Sequence, residues 1–181
     1  MKKTILLFLF FFSIPIVVAQ EKKTASNGNI IFEASVPFYE AVEAKNNQVY
    51  SVLNTKNGSI SFVAIIKKFH FERSLMQDHF NANYMESDKY PRATFKGVIE
   101  KFSIDKISTT PTEYYIKGKI NLHGVTKNIR VIANISKTVT NTIVIRSFFT
   151  LNTEDFKIEI PLIVRNKIAQ NVNVTLNTEF Q

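Results

Sequence analysis

Apolar and polar residues alternate along most of this chain. In EYYIKGKINLH, Tyr114, Ile116, Gly118, Ile120 and Leu122 fall on one side, with Tyr115, Lys117, Lys119, Asn121 and His123 on the other. Past the turn signal at Gly124, Ile129, Val131, Ala133 and Ile135 alternate with Asn128, Arg130 and Asn134. The final run is the most regular, setting Val172, Val174, Leu176, Thr178 and Phe180 against Asn171, Asn173, Thr175, Asn177 and Glu179. Period two marks a strand with one buried face, because successive side chains point to opposite faces of a sheet. Similar runs extend from Ile30 to Phe38, Gln48 to Leu53, Ser59 to Ile66, Thr94 to Ile104 and Asn141 to Leu151.

About eight half-buried strands at hairpin-like spacing predict an all-β domain, either a sandwich or a closed up-and-down barrel. Closure removes the sheet edges that long Val- and Ile-rich strands would otherwise expose. The interior of an eight-stranded barrel is either filled by its own side chains or wide enough for one slender ligand. Strands of about ten residues at roughly 3.3 Å each make that interior some 30 Å long. A narrow apolar tube of this length suits a chain-like molecule.

One stretch, LMQDHFNANYMESDKYPRATFKG, breaks the alternation. Leu75, Met76, His79, Phe80, Asn83 and Tyr84 recur at spacings of three and four, which predicts one face of a short helix, and Pro91 disfavours helix at Tyr90. Laid across a barrel opening, the helix would act as a lid through Leu75, His79, Phe80 and Tyr84, or it would plug the end as core. In DFKIEIP, Pro161 fits the end of a strand, and a single helical turn is expected in LIVRNKIAQ before the last strand.

Composition narrows the setting. The opening MKKTILLFLFFFSIPIVVAQ carries two lysines and then an apolar run from Ile5 to Ala19, which reads as a signal peptide over 1–19 that leaves a single domain over 20–181. The chain has no cysteine, so it has neither disulfide nor thiolate chemistry, and export without disulfides fits a bacterial envelope, periplasmic or secreted. Without Lys2 and Lys3, 21 basic residues face 15 acidic ones. The excess favours transient contact with an anionic membrane surface. The basic residues are scattered singly along strands, which argues against nucleic acid.

Catalysis finds no foothold. His70, His79 and His123 are the only histidines, and no pair has a metal-binding spacing such as HExxH. No glycine-rich phosphate loop or nucleophile elbow is present. Glu86 and Asp88 read as a solvated turn rather than an acid and base pair. No cofactor and no metal are expected.

Three ordered motifs then carry a resemblance: HFNANYMESDKYPRATFKG, INLHGVTK and DFKIEIP. Together, from about Asn46 to the C-terminus, they resemble the YceI-like polyisoprenoid-binding family of secreted bacterial proteins. That resemblance implies an extended lipocalin-like eight-stranded antiparallel barrel with a short helical insertion, and an apolar pore holding a long isoprenoid chain. Two departures stand out: Lys157 follows the DF pair where many members carry glycine, and a histidine common near the first strand is absent around Asn29. Alternation and resemblance together nominate Phe32, Val36, Phe62, Ile66, Phe95, Ile116, Ile120, Leu122, Ile129, Val131, Val174 and Leu176 as inward, lipid-binding residues. The expected function is noncatalytic carriage or storage of an isoprenoid or other long-chain lipid. The alternative is an envelope scaffold or stress-related interaction protein whose barrel is filled by its own side chains.

Overall fold

The computed structural model describes residues 21–181, so the expected signal segment lies outside the described residues. Nine strands form one sheet: β1 (Lys22–Ser35), β2 (Glu43–Asn54), β3 (Ser59–Ile65), β4 (His70–Phe71), β5 (Arg92–Ile99), β6 (Thr112–Leu122), β7 (Val125–Lys137), β8 (Ile143–Asn152) and β9 (Ile168–Phe180). Every pairing is antiparallel, and β1 pairs with both β9 and β2, which closes the sheet. Eight strands make the barrel wall in up-and-down order. The two-residue β4 sits outside that order, against the start of β2, with Ala44 opposite Phe71 and Lys45 opposite His70.

Register follows the hydrophobic pattern. Strand β6 pairs with β7 from Thr112 opposite Ile135 to Leu122 opposite Val125, so the apolar sets of both strands share the inner face, except that Ile120 stands opposite Lys127, which pairs with Asp155. A two-residue turn joins them. His123 and Gly124 both have positive φ, 49° and 74°, the geometry that matches the twist of a tight hairpin. A Cβ at Gly124 would lie 2.6 Å from a ring carbon of Tyr90, so glycine is required there twice over.

The interior is unequal along its length. At the end bearing the C-terminus, Val49, Leu53, Ile99, Ile135, Ile145 and Phe180 are almost completely buried and fill the barrel. A buried polar pair in this plug is satisfied internally, since the hydroxyls of Ser51 and Thr178 lie 3.0 Å apart. Toward the other end several inward residues, among them Ile30, Phe32, Ile120, Leu122 and Phe149, are only half-buried, because they border a hollow.

The helical interruption lies between β3 and β5 at this hollow end. Helix α1 (Ser74–His79) runs into a wider π-type turn over Phe80–Tyr84. Other boundaries differ from the sequence reading. Strand β1 starts earlier than Ile30 and ends at Ser35, and Phe38 instead occupies a hairpin tip with φ 70°. Strand β5 stops at Ile99 rather than Ile104. DFKIEIP is not a strand: Glu154–Phe156 form a 3₁₀ turn, Lys157 is left-handed, and the segment beyond crosses the barrel end unpaired, burying Ile158 and Ile160. The expected helical turn before the last strand is a 3₁₀ turn at Leu162–Val164.

Candidate functional site

The hollow is a cavity of about 510 Å³ beneath α1, and a smaller chamber of about 90 Å³ continues it toward the plugged end. Ile30, Ala64, Ala93, Ile120 and Phe149 border both and form the neck between them. Of the nominated inward residues, Phe32, Ile66, Ile120, Leu122 and Val174 line the outer cavity. Phe62, Phe95, Ile116, Ile129, Val131 and Leu176 line the inner chamber. Val36 lies past the end of β1, which stops at Ser35, and Ala34 and Val42 take the wall positions there.

Local sequence explains the shape of the neck region. Gly97 of β5 stands opposite Gly118 of β6, and a Cβ at either position would come within 2.6 Å of the Phe95 ring. Two facing glycines thus open a floor on which an aromatic ring lies flat, a close approach no side chain permits. Phe95 in turn packs on Phe62 with ring centroids 6.3 Å apart.

Above the neck the wall is aromatic. Phe32 stacks on Phe80 at 5.4 Å with an interplanar angle of 27°, while Phe69 and Phe71 contact Phe80 at 6.0 and 5.1 Å. Phe80 therefore ties the helical insertion to the rim of β1 and to the segment leading into β4. His79, Tyr84 and Met76 also border the cavity. Leu75 does not: its side chain is 63% exposed, since one residue along a helix is a turn of about 100° and Met76 takes the inward place.

Polar groups are few and sit near the opening: Glu40, His79, Asn152, Thr153 and Lys167. Glu40 is held by Arg73 at the start of α1. Burial pushes the Tyr84 phenol above its ordinary pKa, so it stays a neutral hydrogen-bonding group. Thr153 Oγ1 is buried with no hydrogen-bond partner among the described residues. Among those residues, no group of three or more His, Asp or Glu side chains is placed to hold a metal.

Beside the opening, the three motifs of the resemblance converge. His123 Nδ1 donates to the Phe156 carbonyl at 3.1 Å, and Nε2 lies 2.9 Å from Glu86 Oε2. Both partners are acceptors, so both bonds form together when the ring carries both protons. The Tyr90 ring packs edge-on against the imidazole, with centroids 4.6 Å apart. The His123 side chain is only 10% exposed. This corrects the reading of Glu86 as a merely solvated turn, because it bonds a histidine 37 residues away and so fastens the helical insertion to the β6–β7 turn. Lys157, after the DF pair, has φ 56°. Glycine adopts that left-handed conformation without the strain a lysine carries there.

Sequence reasoning also missed Phe149, Leu151 and Val172, which line the outer cavity from β8 and β9. Their alternation was visible within runs already read as strands. Ile158 and Ile160 had the same signal in DFKIEIP, obscured because the segment forms no ladder.

Fold and cavity define a lipocalin-like antiparallel barrel, closed at one end by its own core and hollow at the other. The chain belongs to the YceI family: the YceI-like domain matches residues 23–180. No curated protein matches it by sequence. Among solved structures, it resembles a polyisoprenoid-binding domain from Saccharophagus degradans implicated in plant cell wall breakdown, with TM-score 0.78, 13% identity and coverage of 89% of this chain and 98% of that one. It also resembles Burkholderia cenocepacia BcnA, with TM-score 0.69, 12% identity and coverage of 83% and 95%. A Campylobacter jejuni YceI protein aligns over 100% of this chain and 99% of its own, with TM-score 0.55 and 16% identity.

Proposed function

We propose that this protein holds a polyisoprenoid or similar long-chain lipid in the apolar cavity, and carries or stores it in the bacterial envelope without covalent chemistry. The hollow half of the barrel is the observation that carries this reading. Its about 510 Å³ lies within the range of small-molecule sites, and its wall is almost wholly apolar. Each CH₂ removed from water contributes about 0.8 kcal/mol, so ten buried carbons supply roughly 8 kcal/mol.

Shape supports a slender occupant. The outer cavity narrows at Ile120 and Ala93 into the inner chamber and stops against the plug around Phe180 and Leu53. A chain would enter tail first and leave its polar end among His79, Tyr84 and Thr153. The likeness to the polyisoprenoid-binding domain from Saccharophagus degradans points the same way. A self-filled scaffold needs the plug to run the whole length of the barrel. The apolar run from Ile5 to Ala19 and membership of the YceI family support export to the bacterial envelope, periplasmic or secreted; among the described residues no helix is long and apolar enough to cross a membrane.

The test is organic extraction of protein purified from its native envelope, followed by mass spectrometry and by titration with a fluorescent prenyl lipid. A stoichiometric lipid and saturable uptake are expected. Repeated absence of lipid, together with no uptake of added prenyl lipid, overturns the carrier reading in favour of the scaffold.

A further inference from the structure

Two segments at the hollow end carry more exposed apolar surface than a soluble barrel needs. Phe38, at the tip of the 36–42 hairpin, is fully exposed, and Leu162 and Ile163 in the 158–167 segment are 79% and 84% exposed. Phe38 also has φ 70°, a conformation unusual for a bulky side chain, which the turn at the hairpin tip imposes. Among the described residues, only Val139 at the opposite end is an apolar side chain of comparable exposure.

The same two segments form one rim of the cavity. Tyr39 and Val42 from the first, with Ile160 and Val164 from the second, line the cavity wall. Asn166 Nδ2 donates to the Tyr39 hydroxyl at 3.2 Å and couples the two segments. The outward apolar tips and the inward lining are thus opposite sides of one edge.

Charge is arranged around these tips. Arg165 and Lys167 follow the apolar pair within the same turn, and neither has an ion-pair partner among the described residues. Of the two carboxylates on these segments, Glu40 is engaged by Arg73, which leaves Glu159 opposed to two cations. Isolated apolar tips flanked by basic groups suit the interface of an anionic bilayer, where the tips enter the acyl boundary and the cations meet head groups. A protein partner would call for a contiguous apolar patch instead.

We infer that this rim docks on an anionic phospholipid surface through Phe38, Leu162 and Ile163, with Arg165 and Lys167 on the head groups, so that the cavity mouth faces the bilayer. The inference concerns how the mouth meets a membrane and holds for any long-chain cargo. It is tested on lipid-stripped protein, so docking and cargo uptake fail or succeed separately.

The chain has no tryptophan, so Phe38→Trp supplies a single reporter at the tip. With vesicles of phosphatidylcholine and phosphatidylglycerol, its emission is expected to shift to shorter wavelength and to be quenched by brominated acyl chains. Raised salt should weaken the partition severalfold. A control tryptophan at Phe148, which is 65% exposed on the flank of β8, should not respond. Adding Leu162→Ser and Ile163→Ser to Phe38→Trp should lower partition roughly tenfold or more while circular dichroism is unchanged. Unchanged Phe38→Trp emission with every vesicle, or an equal response at Phe148→Trp, overturns the docking rim. A shift produced by raising protein concentration without vesicles reassigns the rim to a second copy of the chain, and equal partition to pure phosphatidylcholine removes the anionic preference.

Discussion

Ile120 and Lys119 are adjacent in β6, yet they should respond to the same substitution in opposite ways. Ile120 borders both the outer cavity and the inner chamber, while Lys119 is exposed and stands opposite Lys96 across the β5–β6 ladder. In Ile120→Glu a carboxylate enters an apolar neck, where the cation opposite it in β7, Lys127, is already engaged by Asp155, and it neutralises rather than stay charged there. Protonating a group with an ordinary pKa near 4.3 at pH 7 costs about 3.7 kcal/mol, and lost Ile burial adds roughly 1.5–3 kcal/mol. The total, about 5–7 kcal/mol, rivals the stability of a whole domain. Lys119→Glu instead turns a like-charge cross-strand pair into an opposite-charge one, a change of about 0.2–1 kcal/mol in favour of the fold.

The pH dependence separates the mechanisms. Burial raises the folded-state pKa of the new carboxyl above its unfolded value, so its protonation penalty is present at neutral pH and vanishes as pH falls below about 4.3. Urea unfolding of Ile120→Glu should therefore show the gap to the parent protein shrinking by about 3.7 kcal/mol between pH 7 and pH 4. Lys119→Glu should show no comparable narrowing. Fluorescent prenyl-lipid titration at a pH where both variants are folded completes the test: uptake should collapse in Ile120→Glu and persist in Lys119→Glu. Equal and small effects at both positions would refute the face assignment of β6. A folded Ile120→Glu with normal uptake would remove Ile120 from the site.

Three other positions probe the hollow end and the flank. Phe80→Ala takes away the ring that ties the helical insertion to Phe32, Phe69 and Phe71, and should cost about 2–4 kcal/mol, and stopped-flow measurement should show lipid release accelerating more than affinity falls. Unchanged release with a sharp loss of thermal stability would make the insertion core rather than lid. Lys157→Gly removes the strain of a left-handed lysine, about 1–2 kcal/mol, against a glycine entropy cost of about 0.5–1 kcal/mol, so denaturant unfolding should show a gain of up to about 1.5 kcal/mol. Glu100 accepts hydrogen bonds from Arg130 Nε and Nη2 at 3.1 and 2.9 Å, which hold its carboxyl below the ordinary pKa. Its small contribution is therefore full above the ordinary carboxylate range and is lost as pH falls through the lowered value, a dependence that Glu100→Gln should abolish in acid titrations of thermal stability.

How much of this was legible depended on the range of the interactions. The inward faces of β6 and β9 could be read directly, because a period of two is local and Ile116, Ile120, Leu122, Val174 and Leu176 keep it without interruption. Val36 shows where the rule fails: alternation carries no stop signal of its own, and β1 ends one residue earlier as the chain turns toward Pro37 and Phe38. Leu75 and Met76 both fit a helical spacing, and only packing against the barrel decides which faces inward. The division into plug and hollow could not be read at all. It depends on which inward side chains meet across the barrel, as Ser51 meets Thr178 over 127 positions of sequence.

The three family motifs are distant in sequence and hold chemistry-bearing residues, and where they meet those residues bond to one another. Glu86 comes from the helical insertion, His123 from the β6–β7 turn and the Phe156 carbonyl from the 3₁₀ turn after β8, and each is a connection at the hollow end. Loops around an open mouth lack the ladder bonds that hold strands, so a buried imidazole bonding two of them supplies order where the sheet cannot. His123→Ala leaves the Phe156 carbonyl and Glu86 without this partner, which should cost about 2–3 kcal/mol. If the node only stabilises, lipid release should keep pace with that loss and no more. If it holds the mouth in shape, hydrogen exchange should rise in the insertion and around Phe156 while the plug around Phe180 stays protected, and lipid release should quicken well beyond what the global loss accounts for. Uniform loss of protection across the barrel would count against a local fastening and leave His123 as ordinary core.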